Sequence, residues 1–113
     1  MRHALAVLCL TVTLTPHAVM RVIDGDTFVL HHVGTPAEEH IRVLRVDTPE
    51  RGEPLYAEAG EFTRQWLARG AFTMTMCKRD SFGRYLAEVT RGHESLADAL
   101  RAAGYDHDAP LSR

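Results

Sequence analysis

The stretch Ile41-Arg-Val-Leu-Arg-Val-Asp-Thr-Pro-Glu50 decides how the rest of the chain is interpreted. It predicts a β-strand, because its apolar residues are β-branched or well tolerated in strands. The proline after Thr48 has no N–H to donate to a sheet, so the strand is predicted to end near Thr48. Two carboxylates, Asp47 and Glu50, then lie at the strand end. Side chains alternate along a strand, which places Arg42 and Asp47 on opposite faces. A bulge or bend is therefore required if these two residues share a site.

The composition limits the class of protein. The 113 residues suit one domain, and the apolar share of 45% is sufficient for one core. The net charge of −2 argues against a protein that coats nucleic acid by charge alone. It does not argue against an enzyme that holds phosphate at one local site. Two cysteines, Cys9 and Cys77, are too few for a disulfide framework.

Residues 1–18 have two interpretations. A short charged start, an apolar run over residues 4–14 and the small residue Ala18 follow the pattern of an export signal. The run is too short to span a bilayer. The alternative is a β-strand, because residues 10–15 alternate between apolar and polar side chains. The signal is the favoured interpretation. Its removal near Ala18 would take Cys9 out of the chain and imply a secreted or periplasmic protein, whereas an intact segment would imply a cytoplasmic one.

From Val19 onward, the sequence predicts a domain over residues 19–105 that contains five strands and two helices. The strands are predicted at residues 19–23, 27–33, 41–46, 72–77 and 85–89, and the helices at residues 56–69 and 96–103. Asp24-Gly25-Asp26 is predicted to be a hairpin turn in which Gly25 permits a positive φ. Gly34-Thr35-Pro36 is predicted to end the second strand. Ser95 and Asp98 predict a capping box at the second helix, and Gly104 predicts its end.

The order of these elements predicts a mainly-β fold of the α+β class. Three strands, a helix, two strands and a helix are the arrangement of a five-stranded Greek-key barrel, the OB-fold. The polar residues 106–113 are predicted to form a loose tail. A fold of this type often binds nucleic acid, but the fold alone does not establish the function.

Three polar clusters lie at the predicted strand ends. They are Asp24 with Asp26, Asp47 with Glu50, and Asp80 with Arg84. Carboxylates in turns suit a hard cation such as Ca²⁺, arginines can clamp a phosphate, and a carboxylate free of metal can take a proton from water. Phosphodiester hydrolysis needs these three parts. Each residue taken singly also has a structural interpretation, as a turn former or a solvated charge.

Three blocks of the sequence resemble the signature motifs of the staphylococcal nuclease (thermonuclease) family. They are Ile23-Asp-Gly-Asp-Thr27, Arg42-Val-Leu-Arg-Val-Asp-Thr-Pro-Glu50 and Asp80-Ser-Phe-Gly-Arg-Tyr-Leu-Ala87, and the resemblance extends from Val19 to about Tyr105. It implies an OB-fold barrel and Ca²⁺-dependent cleavage of DNA and RNA to 3′-phosphate ends. The protein is then expected to be a monomer with no membrane attachment after processing.

The resemblance also implies how a metal would be held. Asp26 and Asp47 correspond to the metal carboxylates, and the backbone carbonyl of Thr48 corresponds to a further ligand. Asp24 corresponds to a carboxylate that lies next to these ligands and does not itself bind the metal. The implied cofactor is Ca²⁺.

The remaining site residues correspond to the parts that act on the substrate. Arg42 and Arg84 correspond to the arginines that bind the phosphate and stabilise its transition state. Glu50 corresponds to the general base, or to the group that orients water. Tyr56, Tyr85 and Tyr105 are candidates for stacking on bases, and each ring could equally belong to the core or face a helix.

Two departures from the family pattern are expected to matter. Phe82 stands where some members have a tyrosine that helps to bind the nucleotide, so the hydrogen bond of that hydroxyl is lost. Longer members continue through a third helix, which this chain lacks after its second helix.

Two alternative functions are a non-catalytic nucleic-acid-binding module of the same fold and a structural or partner-binding barrel. The full set of site residues disfavours both alternatives. That set is Asp26, Arg42, Asp47, Glu50 and Arg84.

Overall fold

The computed structural model describes residues 8–31 and 37–107, which form one seven-stranded sheet with two α-helices. The strands are β1 (Leu10–Leu14), β2 (Val19–Asp24), β3 (Thr27–His31), β4 (Glu38–Val43), β5 (Phe72–Arg79), β6 (Tyr85–Arg91) and β7 (Glu94–Ser95). The helices are α1 (Tyr56–Ala68) and α2 (Leu96–Ala102), and a 3-10 turn covers Pro16–Ala18. None of the helices in the described ranges is long and apolar enough to cross a membrane.

The strand order of the sheet is β1-β5-β6-β4-β3-β2, and β7 pairs with β6. Its strand pairs are antiparallel, with the exception of β4 and β6, which run parallel with Ile41 opposite Tyr85 and Val43 opposite Ala87. Because Arg84 immediately precedes β6, this parallel pair brings Arg84 towards the part of the chain that carries Arg42. The sheet topology thus joins two blocks that are about forty residues apart in the sequence.

The predicted mainly-β architecture with two helices is confirmed, and the meander of β2, β3 and β4 forms as expected. The described chain has seven strands where five were predicted. The two additional strands are β1 and the two-residue β7, which is too short to leave a sequence pattern. Closure of the sheet into an OB-fold barrel stays a prediction.

Residues 10–14 form the strand that was the alternative to an export signal. β1 pairs with β5 from Leu10 opposite Met76 to Leu14 opposite Phe72, and Cys9 is joined to Cys77 by a disulfide bond. The sequence had suggested no use for these two cysteines. Removal of residues 1–18 stays a prediction, and it would dismantle this edge of the sheet.

The central stretch leaves its strand earlier than the sequence predicted. β4 ends at Val43 and not near Thr48, and Leu44 and Arg45 form a turn in which Arg45 has a φ of 70°. A left-handed residue cannot continue an extended strand, so the chain changes direction here. This is the bend that Arg42 and Asp47 require in order to share a site.

The two helices follow their predicted positions closely, and both pack on the core. α1 buries Ala59, Thr63, Trp66 and Leu67 on one face. The predicted apolar stripe is confirmed at Ala59 and Trp66, whereas Leu55 precedes the helix and is exposed. The predicted serine cap of α2 is confirmed, because Ser95 Oγ accepts a hydrogen bond from the Asp98 N–H at 2.9 Å. The largest fully buried side chains include Trp66, Phe28, Phe72, Ile41, Leu67 and Met74.

The prediction of a loose tail is wrong at its first two residues. Asp106 is only 3% exposed, and Arg101 Nε donates a hydrogen bond to its Oδ2 at 2.9 Å. The backbone N–H of His107 donates to the Asp47 carbonyl at 2.8 Å. A buried carboxylate needs partners of this kind, and a polar sequence does not reveal them.

Three predictions lie outside the described residues: the signal over residues 1–7, the strand end and turn over residues 32–36, and the tail over residues 108–113.

Candidate active site

All seven predicted metal-binding and catalytic positions line one cleft of about 530 Å³. They come from three separate parts of the chain: the turn between β2 and β3, the segment that follows β4, and the hairpin that precedes β6. The residues are Asp24, Asp26, Arg42, Asp47, Thr48, Glu50 and Arg84.

Gly25 allows the first of these turns to pack against the site. Its φ is not positive, so the predicted reason for this glycine is wrong. A Cβ at this position would lie 2.8 Å from Thr48 Cγ2 and 2.9 Å from Ala59 Cβ. The glycine is therefore needed for close approach, and the approach places Asp26 beside the segment that carries Thr48.

Asp26 connects the three parts of the cleft. The residue is 5% exposed, and its Oδ1 accepts a hydrogen bond from Thr27 Oγ1 at 2.9 Å. Its Oδ2 accepts the Thr48 N–H at 2.9 Å and lies 3.3 Å from Arg42 Nη2. These contacts stabilise a carboxylate that would otherwise be costly to bury.

Asp24 lies directly behind this carboxylate. Its Oδ1 accepts the Asp26 N–H at 3.3 Å. Burial raises the pKa of Asp24 to about 7, and the adjacent Asp26 carboxylate acts in the same direction through its hydrogen bonding and its charge. Two carboxyl groups held this close favour the binding of a positively charged group beside them.

Arg42 supplies part of that charge and bridges to Asp47. Its Nη2 lies 3.5 Å from Asp47 Oδ1, in addition to its contact with Asp26. Its Nη1 donates to the Val46 carbonyl at 2.8 Å and to the Val43 carbonyl. The guanidinium thereby holds the bend that follows β4, and the predicted need for a bend between Arg42 and Asp47 is confirmed.

Arg84 is held by its own hairpin. Asp80 Oδ1 accepts the backbone N–H groups of Phe82 at 2.9 Å and of Arg84 at 3.0 Å, while its Oδ2 accepts Arg84 Nε at 2.8 Å. Gly83 has a φ of 84°, which a residue with a side chain rarely adopts. The Asp80 carboxylate thus sets the direction of the guanidinium that lines the cleft.

Glu50 lines the cleft with an exposed carboxylate. Its backbone N–H donates to Glu53 Oε1 at 2.6 Å, which fixes the main chain at this point. Within residues 8–31 and 37–107, no side chain forms an ion pair or hydrogen bond with the Glu50 carboxylate. The group is therefore available to water in the cleft.

Of the three tyrosines predicted to stack on bases, Tyr56 lines the cleft, and the other aromatic residue of its lining is Phe82. Tyr56 donates its hydroxyl to the Ile23 carbonyl at 2.7 Å, and Phe82 is 81% exposed at the rim. Tyr85 instead lies under Arg79, and Tyr105 packs edge to face on Phe62. Neither Tyr85 nor Tyr105 is part of the cleft lining, so their placement gives no support to the proposed stacking.

Arg51 also lines the cleft, and sequence reasoning missed it. Its guanidinium carbon lies 5.9 Å from the centre of the Tyr56 ring. The sequence shows this residue only as one charge in a polar turn. Its position directly after Glu50 is the signal that could have drawn attention to it.

The donor atoms of the cleft fit a hard cation in chemical type. Asp24, Asp26 and Asp47 offer carboxylate oxygens, and burial, together with the neighbouring Asp26 carboxylate, raises the pKa of Asp24. No group of three or more His, Cys, Asp or Glu side chains that could hold a metal ion is present in the described part of the chain. The side chains of residues 8–31 and 37–107 therefore do not form a complete cage, and backbone oxygens and water would have to contribute.

The sequence profile of the family described as "Staphylococcal nuclease homologue" matches residues 40–109, which is more than half of the chain. This chain belongs to that family. It is similar to the thermonuclease of Staphylococcus hyicus, with 33% identity over 96 residues, which cover 78% of this chain and 56% of the relative. The thermonuclease of Staphylococcus intermedius is 32% identical over the same shares of the two chains.

This staphylococcal nuclease homologue is also similar to an uncharacterized endonuclease of Escherichia coli O157:H7. The identity is 30% over 71 residues, which cover 63% of this chain and 45% of the relative. The chain thus spans about half the length of the curated relatives that it matches. The matched range 40–109 contains Arg42, Asp47, Glu50 and Arg84, while Asp26 precedes it.

Proposed function

We propose that this protein is a Ca²⁺-dependent nuclease that hydrolyses phosphodiester bonds in both DNA and RNA and leaves 3′-phosphate ends. The convergence of two arginines, an exposed glutamate and a group of aspartates in one cleft carries the proposal. The names thermonuclease and endonuclease among its relatives support a nuclease. The net charge of −2 is compatible with it, because the phosphate contacts are local.

Arg42 and Arg84 bind the phosphate in this proposal. A guanidinium stays protonated at any working pH and can donate two parallel hydrogen bonds to phosphate oxygens. Arg42 is held by carbonyl oxygens and carboxylates, and Arg84 is held by Asp80. Donors fixed in this way need no reorganisation as negative charge develops on the phosphate oxygens.

Glu50 prepares the attacking water. Its carboxylate accepts a proton from the water, whose oxygen forms the new bond to phosphorus. A 3′-phosphate product requires that the bond between phosphorus and the 5′ oxygen breaks, and the departing oxygen then takes up a proton from solvent. The exposed and unpaired state of the Glu50 carboxylate among the described residues supports this role.

Asp26, Asp47 and the Thr48 carbonyl are the residues that would hold Ca²⁺, with Asp24 behind them. When bound, the ion would supply positive charge to the phosphate and polarise it. Asp26 is kept in place by the Thr48 N–H and by Arg42, so its orientation does not depend on the ion.

The compartment and the oligomeric state belong to the same proposal. A disulfide bond such as Cys9–Cys77 persists in oxidising surroundings, which supports a secreted or periplasmic protein that keeps residues 1–18, since cleavage near Ala18 would remove Cys9. Action as a monomer, which was expected from the family resemblance, is part of the same proposal.

The test uses the whole chain, single-stranded DNA and RNA, and either Ca²⁺ or a chelator. Glu50→Gln removes the proton acceptor and keeps its shape, so kcat should fall by roughly 10²-fold or more. Glu61→Gln changes an exposed glutamate of α1 in the same way and should leave kcat unchanged. Binding without cleavage in wild type under all metal conditions would instead establish the non-catalytic binding module.

A further inference from the structure

The two residues Asp106 and His107, here called the strap, bind the main chain of Asp47 from both sides. Asp106 Oδ1 accepts the Asp47 N–H at 3.2 Å. The His107 N–H donates to the Asp47 carbonyl at 2.8 Å. Both polar groups of the Asp47 main chain are therefore satisfied by the segment that follows α2.

The strap is anchored to α2 by Arg101. Arg101 Nε donates to Asp106 Oδ2 at 2.9 Å, and Asp106 itself is almost completely buried. The same guanidinium donates to the Arg45 carbonyl, which belongs to the turn that follows β4. Arg101 thus holds the strap and the start of the Asp47 segment together.

The strap also reaches the segment of Glu50. The His107 ring lies 2.8 Å from Glu53 Oε1, and this oxygen accepts the Glu50 N–H at 2.6 Å. Residues 46–55 contain no strand or helix, so these contacts replace the ladder hydrogen bonds that would fix a regular element.

We propose that Asp106 and His107 are positioning residues that hold Asp47 and Glu50 in their working arrangement. The inference rests on the proposed nuclease function. Neither residue touches the phosphate in this scheme. A displacement of about 1 Å at a reacting group can lower turnover about 10²-fold, so a fixed main chain at these two positions has a direct catalytic value.

The first experiment compares Asp106→Ala with Asp98→Ala in the whole chain. Asp98 is a matched control, because it pairs with the same Arg101 at 3.0 Å but is exposed, and its side chain forms no hydrogen bond or ion pair with the Asp47 segment. Amide hydrogen exchange is the readout that does not depend on activity. Asp106→Ala should speed exchange of the Asp47 amide by about 10-fold or more and leave the Thr48 amide, which donates to Asp26, unchanged.

Kinetics on single-stranded DNA with Ca²⁺ then test whether the contact positions the reaction. Asp106→Ala should lower kcat by about 10- to 100-fold, as losses of supporting contacts around a metal or catalytic group do. KM should change by no more than about 2-fold, because Arg42 and Arg84 still bind phosphate. Asp98→Ala should match wild type in both values.

His107→Ala keeps the inference testable if Asp106→Ala fails to fold. It removes an exposed ring and keeps the backbone bond to Asp47, so it should speed exchange of the Glu50 amide and lower kcat by about 10-fold. Unchanged amide exchange in both variants, or faster exchange with wild-type kcat, would overturn the inference. An inactive wild type would overturn the proposed function, and the exchange data would still report on the strap.

Discussion

Position 25 requires glycine because the neighbouring side chains leave no room for a Cβ, and not because of its backbone angles. The space that a Cβ would fill is already occupied by the side chains of Thr48 and Ala59. Gly25→Ala should therefore lower the free energy of unfolding by about 1–3 kcal/mol, which is the usual cost of overpacking. Thermal and urea denaturation measure this change.

Gly60→Ala is the matched control for this prediction. Gly60 lies inside α1, and the nearest atom to an added Cβ is Asp24 Cα at 3.9 Å. Alanine in a helix interior is favoured over glycine by roughly 0.5–1 kcal/mol, so this variant should be more stable than wild type. Equal effects of the two substitutions would show that crowding at Gly25 is not the reason for the glycine.

The geometry of Arg84 gives a second prediction for a single residue. Lysine keeps the positive charge but cannot form the paired hydrogen bonds that a guanidinium offers to Asp80 and phosphate. Arg84→Lys should lower kcat about 10²-fold with a circular dichroism spectrum like that of wild type. Arg64→Lys, on the exposed face of α1, should leave kcat unchanged. Equal activity of Arg84→Lys and wild type would mean that only the charge matters.

Strand β4 shows how far local sequence determines an element. Apolar β-branched residues correctly predicted a strand before Asp47, but the strand end that Pro49 predicted near Thr48 is wrong, because the strand already ends at Val43. The left-handed Arg45, which ends the strand at Val43, carries no sequence signal, because arginine has no preference for that conformation. The arrangement there depends on contacts from β6 and α2, which contribute Glu88 and Arg101.

Strand β1 illustrates the opposite case, in which one pattern fits two structures. An apolar run with alternation matches both a signal and an edge strand, and only its pairing with β5 and the disulfide bond distinguish them. The bond closes a loop with a sequence separation of 68, and the chain-entropy relation assigns about 4 kcal/mol to a loop of that size. Reduction should therefore lower the melting temperature markedly.

A scan with and without reductant measures this effect. The double variant Cys9→Ser/Cys77→Ser is the control, because its melting temperature should be low and insensitive to reductant. A wild-type protein that melts at the same temperature in both conditions would show that β1 contributes little to stability. Mass measurement of the exported protein would establish separately whether residues 1–18 are removed.

At the scale of the whole molecule, the cleft exists because the fold joins three distant segments. The turn between β2 and β3, the segment after β4 and the hairpin before β6 meet through antiparallel pairing of β3 with β4 and parallel pairing of β4 with β6. Pairing of this kind is non-local, so periodicity and propensity in one segment do not predict it. The resemblance to a known family, and not the pattern of residues, predicted which side chains would meet.

This convergence makes Ca²⁺ binding a property of the folded chain. Asp24, Asp26 and Asp47 are brought together only in the native state, so an ion held there would stabilise that state. At a free Ca²⁺ concentration about 100 times the Kd, the gain is about 2.7 kcal/mol, which corresponds to a rise in melting temperature of roughly 10 °C. Sodium chloride at the same ionic strength should not reproduce the rise, since general screening acts on all surface charges.

Substitutions at one binding and one remote aspartate make this last prediction specific. Asp47→Asn removes a proposed ligand that is half-buried at the cleft, and the Ca²⁺-induced rise in melting temperature should be lost. Asp98→Asn changes an exposed aspartate on α2 and should keep the full rise. A chelator should return wild type to its original melting temperature. If Ca²⁺ stabilises wild type and Asp47→Asn equally, the ion binds elsewhere, and the metal part of the proposed function has to be abandoned while the roles of the arginines and Glu50 stay open to test.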